Sequence, residues 1–116
     1  FASLGSAART AEEAGISLKD AARIQNAAIR TKQEITVVGS RANGTAIATS
    51  DWDYIMSGNS AQRHSAASSV PRGISGGSQN ASGIETGIDI WSSNPNSPNP
   101  VNVNPQMPHV IFRPKY

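Results

Sequence analysis

Along this chain the spacing of apolar residues alternates between helical and strand periods. Leu18, Ala21, Ile24 and Ala28 recur at helical spacing, with Ala22 and Ile29 alongside, which predicts a helix from about residue 18 to residue 32. Ser17 and Asp20 supply its start signal. Before it, Thr10-Ala11-Glu12-Glu13 has capping-box spacing and Gly15 follows, so a short helix is predicted there. The period then changes. Glu34 to Val38 is β-branched and apolar, a buried strand. Gly39 to Thr49 is the turn, with one helical turn at Ser40 to Ala42, and Ser50 to Met56 is the second strand. Ser57-Gly58-Asn59-Ser60 breaks that strand. A weak helix from Ser60 to Ser69 ends before Pro71. Glu85 to Trp91 reads as a third strand, with Ile88 and Ile90 facing one way and Asp89 the other. His109 to Arg113 is a short last strand, stopped by Pro114.

Between these elements the chain loses its period. Gly73 to Gly83 is low in complexity and is expected to be flexible. Residues 94–108 are rich in Pro and Asn and are expected as extended loop. Helix, strand, strand, helix, strand, strand predicts an α+β fold: a short mixed β-sheet with helices packed on one face. Residues 1–16 read as an N-terminal extension with a short helix, and residues 17–116 as one domain.

Composition narrows the chemistry. The 116 residues suffice for one small domain with a modest core. There are no cysteines, so disulfides and thiolate metal sites are excluded, while oxygen ligands, and hence a hard metal, remain open. The formal charge of +2 is a weak excess, which permits nucleic-acid contact without arguing for it. On the long helix Arg23, Arg30 and Lys32 are expected on the solvated outer face, with a nucleic-acid face as the alternative. No apolar run approaches the length of a membrane span, so no membrane partner is expected, and nothing reads as a signal peptide. The first residue is Phe1 rather than Met, and the domain is expected to be cut from a longer protein.

The candidate chemistry lies around Asp51 and Asp53. Two residues apart on a strand, they share a face while Trp52 and Tyr54 take the other. Two carboxylates side by side repel each other unless a cation lies between them. Acids are also depleted in strands, which argues against an incidental pair. Asp89, alone between two isoleucines, is the natural third ligand, and Glu85, an even number of residues away, is the fallback. Gly39-Ser40 could offer backbone N–H groups and a hydroxyl to phosphate oxygens, and Gly39 would let a phosphate approach closely. Arg41 could hold phosphate through its planar fork or serve as a surface cation. Arg63 and His64 on the weak helix are expected in exposed structural roles, with triphosphate or acceptor contact as the alternative, and a structural role is expected for His109. Trp52 and Trp91 are expected in the core.

Val38, Gly39, Ser40, Asp51, Trp52, Asp53 and Tyr54 together resemble the signature of the polymerase-β-type nucleotidyltransferase superfamily, in which an apolar-Gly-Gly/Ser turn precedes an Asp-apolar-Asp/Glu pair by about ten residues. The string from Gly39 to Thr45 looks like the version in small stand-alone nucleotidyltransferases. The resemblance covers roughly residues 18 to 91. It implies Mg²⁺, with Mn²⁺ as a substitute, held by Asp51, Asp53 and Asp89. It also implies a nucleoside triphosphate on Gly39, Ser40 and Arg41, and transfer of a nucleoside monophosphate to a hydroxyl. An RNA 3′ end, tRNA above all, is the first expectation for the acceptor.

Ser17 to Ala28, Val38 to Thr45, Ser50 to Tyr54 and Pro108 to Phe112 are further similar to C-terminal toxin domains of bacterial Rhs and contact-dependent-inhibition proteins. That implies a polymorphic toxin, secreted or displayed on the cell surface as part of a larger bacterial protein. It would act in the cytoplasm of a target cell and be neutralised by a cognate immunity protein. The alternatives are a metal-independent ribonuclease toxin using His64 and His109 as acid and base, nucleotidyl transfer to a protein or small molecule, and a catalytically dead interaction module.

Overall fold

The computed structural model describes residues 7–114; the first six residues of the expected N-terminal extension and the last two of the chain lie outside it. Its elements run α1 (Ala11–Ala14), α2 (Leu18–Thr31), β1 (Ile35–Val38), α3 (Ser40–Asn43), β2 (Trp52–Met56), α4 (Ser60–Ala67), β3 (Ile88–Ser92) and β4 (Val110–Phe112). The fold is α+β, as the apolar periods predict. Four strands form one mixed sheet in the order β3-β2-β1-β4. β1 is antiparallel to β2 and to β4, and β2 is parallel to β3. A parallel pair needs a long crossover, and residues 57–87, including α4, provide it.

The helix ends follow from their capping residues. The Thr10 hydroxyl accepts from the Glu13 N–H, and the Glu13 carboxylate accepts from the Thr10 N–H. Gly15 then closes α1 in the left-handed region. Ser17 caps α2, and the Asn59 side chain caps α4 through a second reciprocal box with Gln62.

One face of the sheet carries the core. Ile35, Val37, Trp52, Tyr54, Met56, Ile88, Val110 and Phe112 pack there with Ile24, Ala27 and Ala28 of α2, Ala66 of α4, Ala42 of α3 and Ala14 of α1. The buried stripe of α2 is Ile24, Ala27, Ala28 and Thr31, while Leu18 is 92% exposed and Ile29 also faces solvent. The expected stripe was therefore rotated. The sheet contacts the second half of the helix, so Leu18, at its first turn, overhangs.

Tyr54 is fully buried, and its hydroxyl donates to the Pro71 carbonyl at 2.6 Å. Burial pushes its pKa upward, which keeps it a neutral donor. Arg23 and Arg30 are not idle surface cations. Arg23 donates to the Ser69 and Val70 carbonyls, and Arg30 to Ser65 and Ser69, so both fasten α2 to the end of α4.

The opposite face is where the acids stand. Strand parity and register place Val38, Asp53 and Asp89 in one row across β1, β2 and β3, with Thr36, Ile55 and Trp91 in the next. No described helix is long and apolar enough to cross a membrane.

Candidate metal centre

Asp53 and Asp89 are directly paired in the parallel β2–β3 ladder, and neighbouring strands lie only about 4.8 Å apart. Asp51 precedes Asp53 by two residues and shares its face. Each of the three offers one carboxylate oxygen, and these oxygens lie within 4.8 Å of one another. All three residues are half-buried. No Lys or Arg forms an ion pair with them among the described residues, where the pair found is the exposed Arg113–Glu34 at 3.2 Å. The cluster is thus negative and uncompensated.

The electrostatics follow. Burial, then the neighbouring charges of Asp51 and Asp89, pushes Asp53 from its ordinary 3.8 up to about 6. An all-oxygen donor set of this kind suits a hard divalent cation, which would relieve the repulsion. The residues therefore fit the group that the sequence motif implies.

Gly39 is required on two counts. Its backbone (φ 73°, ψ −151°) lies in a region open essentially only to glycine. A Cβ there would also meet Asp53 Oδ2 at 2.7 Å. The carboxylate itself thus occupies the room that a side chain would need. Ser40 follows as the first residue of α3. The first N–H groups of a helix lack intrahelical acceptors, so this turn presents donors beside Asp53.

The far side of the cluster is built by the segment from Gly73 to Gly87, of which Gly73 to Gly83 was expected to be flexible. It is instead laced to the sheet: Trp52 and Gly73 N–H both donate to the Gly87 carbonyl, Gly87 N–H donates to Gly76, and Ser78 N–H donates to Ile88. Glycines make this possible. A Cβ on Gly87 would lie 2.0 Å from the Gly73 carbonyl oxygen, and one on Gly76 would lie 3.3 Å from Asp51 Cβ. From this segment Ser78 donates its hydroxyl to Asp89 Oδ1.

Several expected residues are not at the centre. Glu85 lies before β3, which begins at Ile88. Gly87 bends the chain between them, so Glu85 and Asp89 do not share a strand. Glu85 Oε1 instead accepts from the Gly76 N–H at 2.9 Å.

Arg63 donates to the Gly58 carbonyl and to Ser92. Ser92 pairs with Met56 at the opposite end of the strands from Asp53 and Asp89, so Arg63 has a structural role.

His64 is exposed on α4. His109 is 5% exposed, and its Nδ1 lies 2.7 Å from the Met107 carbonyl oxygen. α4 packs toward β3 at one edge of the sheet, and His109 precedes β4 at the other. The structure does not join the two histidines in one site.

Arg41 turns onto Trp52. Its guanidinium lies 4.5 Å from the ring centroid, and Nη2 donates to the Ser50 carbonyl at 2.7 Å. Trp52 faces the helices, so this charge is directed away from the carboxylates and steadies the residue next to Asp51.

Trp91 is 39% exposed rather than in the core. It lies two residues beyond Asp89 and so shares the acid face. Even spacing from Asp89 was the signal for this in the sequence. Trp52, by contrast, is buried as expected.

Comparison with protein-family models, with curated proteins and with solved structures gave no match.

Proposed function

We propose that this domain is a metal-dependent nucleotidyltransferase that moves a nucleoside monophosphate from a nucleoside triphosphate to a hydroxyl group. The observation that carries this reading is the convergence of Asp51, Asp53 and Asp89 within 4.8 Å beside the Gly39-Ser40 turn. In this reading the three aspartates would hold Mg²⁺, or Mn²⁺ in its place. When bound, the cation would neutralise phosphate charge and make the acceptor hydroxyl more acidic.

The remaining work belongs to the chain. The N–H groups of the Gly39-Ser40 turn and the Ser40 hydroxyl receive the triphosphate oxygens. Asp89, steadied by the Ser78 hydroxyl, takes the proton of the acceptor hydroxyl. The oxygen attacks the α-phosphorus, the bond to the β-phosphate oxygen breaks, and pyrophosphate leaves. Positioning and charge compensation provide most of the rate.

An RNA 3′ end is the proposed acceptor, in keeping with the small positive charge. The sequence resemblance supports a toxin module delivered into a target cell and held in check by an immunity protein. Incubation with Mg²⁺, each labelled nucleoside triphosphate and total RNA tests the chemistry. Label is expected on a discrete RNA band, dependent on Asp51 and Asp53. Label on protein or small molecules would change the acceptor, and no transfer from any of the nucleotides would reject the reading.

A further inference from the structure

We propose that the cavity beside the carboxylates receives the base of the nucleotide substrate, and that the Asn-rich segment 102–108 reads it. This rests on the nucleotidyl-transfer reading above. The cavity holds about 210 Å³ and is lined by Val38, Gly39, Asn43, Ile55, Asn102, Asn104, Met107 and Pro108.

Its position carries the first part of the argument. Val38 is the cross-strand partner of Asp53, and Ile55 follows Asp53 by two residues on the same face. Gly39 belongs to both places, lining the cavity and lying against the Asp53 carboxylate. A molecule whose phosphates rest on the Gly39-Ser40 turn therefore has this cavity next to them.

Size and lining carry the second. Sites that enclose whole drug-sized ligands span roughly 300–1,000 Å³. This one is smaller and suits a single flat ring system with the rest of the molecule outside. Val38, Ile55 and Pro108 give apolar surface for ring faces. Met107 is 60% exposed at the rim, and a thioether packs well against aromatic rings.

The carboxamides carry the third. Asn43 Oδ1 accepts from the Thr45 N–H and hydroxyl, and Asn104 Oδ1 accepts from the Gln106 N–H. Their Nδ2 groups remain available as donors. The Asn102 side chain makes no hydrogen bond among the described residues, which leaves a donor and an acceptor side by side. That pair matches the adjacent acceptor and donor on a base edge. An apolar slot rimmed by unspent amides, opening beside a phosphate turn, fits the base of the same nucleotide.

The test uses the whole chain with isotope-labelled methyl groups. Each of the four ribonucleosides, which lack phosphate, is titrated to millimolar concentration in EDTA. Saturable shifts of the Val38, Ile55 and Met107 methyl signals are expected, and those of Val38 and Ile55 should require several-fold more nucleoside in Asn102→Ala and in Met107→Ser. With Mg²⁺ present, the same variants are expected to raise KM for the nucleotide several-fold or change which nucleotide is used, with Mg²⁺ titration of the carboxylates unchanged.

No methyl shift with any nucleoside overturns the proposal, as does a rise in KM for the RNA acceptor alone. Either result leaves metal binding and transfer standing. Conversely, absence of both would remove the enzyme reading, and the nucleoside titration would still decide the cavity.

Discussion

Replacing Asp53 with Asn should stabilise the protein when no divalent ion is present. Asp53 ionises at about 6 in the folded chain against an ordinary 3.8. Between these values the folded state keeps a proton that the unfolded state has lost. Folding stability therefore falls as pH rises through this window, and the full cost is present above it. At full strength the difference corresponds to about 3 kcal/mol. Asp53 is only half-buried, and solvent screening reduces this to about 1–2 kcal/mol. Asn has nearly the same shape and no charge, so Asp53→Asn removes the cost.

Urea unfolding in EDTA is the assay. At about pH 7.5 the variant should exceed wild type by about 1–2 kcal/mol, and at about pH 4 the two should converge. A thermal scan should show roughly 4 °C per kcal/mol. Mg²⁺ should then reverse the order. It stabilises wild type by about 2.7 kcal/mol at a hundredfold excess over Kd, and the variant gains little. A variant less stable than wild type at about pH 7.5, or one equally stabilised by Mg²⁺, would refute the reasoning.

Further outcomes follow from single contacts. Gly39→Ala should cost about 1–3 kcal/mol from its backbone conformation alone. The new Cβ should also displace the Asp53 carboxylate, so metal affinity falls together with stability, read by calorimetry and chemical unfolding. Tyr54→Phe should lose about 1–2 kcal/mol, because the Pro71 carbonyl is left without its donor. Metal titration of that variant should match wild type, since Tyr54 faces the other side of the sheet.

Local signals made most of the fold legible. Thr10 and Glu13 marked α1, and Asn59, with Gln62 three residues on, caps α4 by the same chemistry. The β-branched run at Ile35–Val38 and the alternation through Trp52–Met56 marked the central strands. The pairing of Asp51 with Asp53 was legible because strand parity is a local rule. Their convergence with Asp89 was anticipated from the resemblance, and the β2–β3 register shows it.

What stayed hidden depends on contacts distant in sequence. The stretch from Gly73 to Gly83 read as flexible because nothing nearby in sequence shows that Gly73 and Gly77 fit against other backbone and Gly76 against the Asp51 side chain. The same packing delays β3 to Ile88 and removes Glu85 from the acid face. Arg41 read equally as a phosphate ligand or a surface cation because its stacking on Trp52 joins residues eleven apart in sequence. The role of the Asn-rich segment as a cavity wall was equally out of reach, since it depends on where the loop returns over β1 and β2.

Direct titration with Mn²⁺, followed by its paramagnetic resonance signal, tests the central claim most closely. The wild-type chain should bind the ion, with affinity reduced tenfold or more in each of Asp51→Asn, Asp53→Asn and Asp89→Asn, about 1.4 kcal/mol per factor of ten. Glu85→Gln should bind as wild type does. Affinity unchanged across the three aspartate variants, or no binding by wild type at millimolar Mn²⁺, would contradict the account.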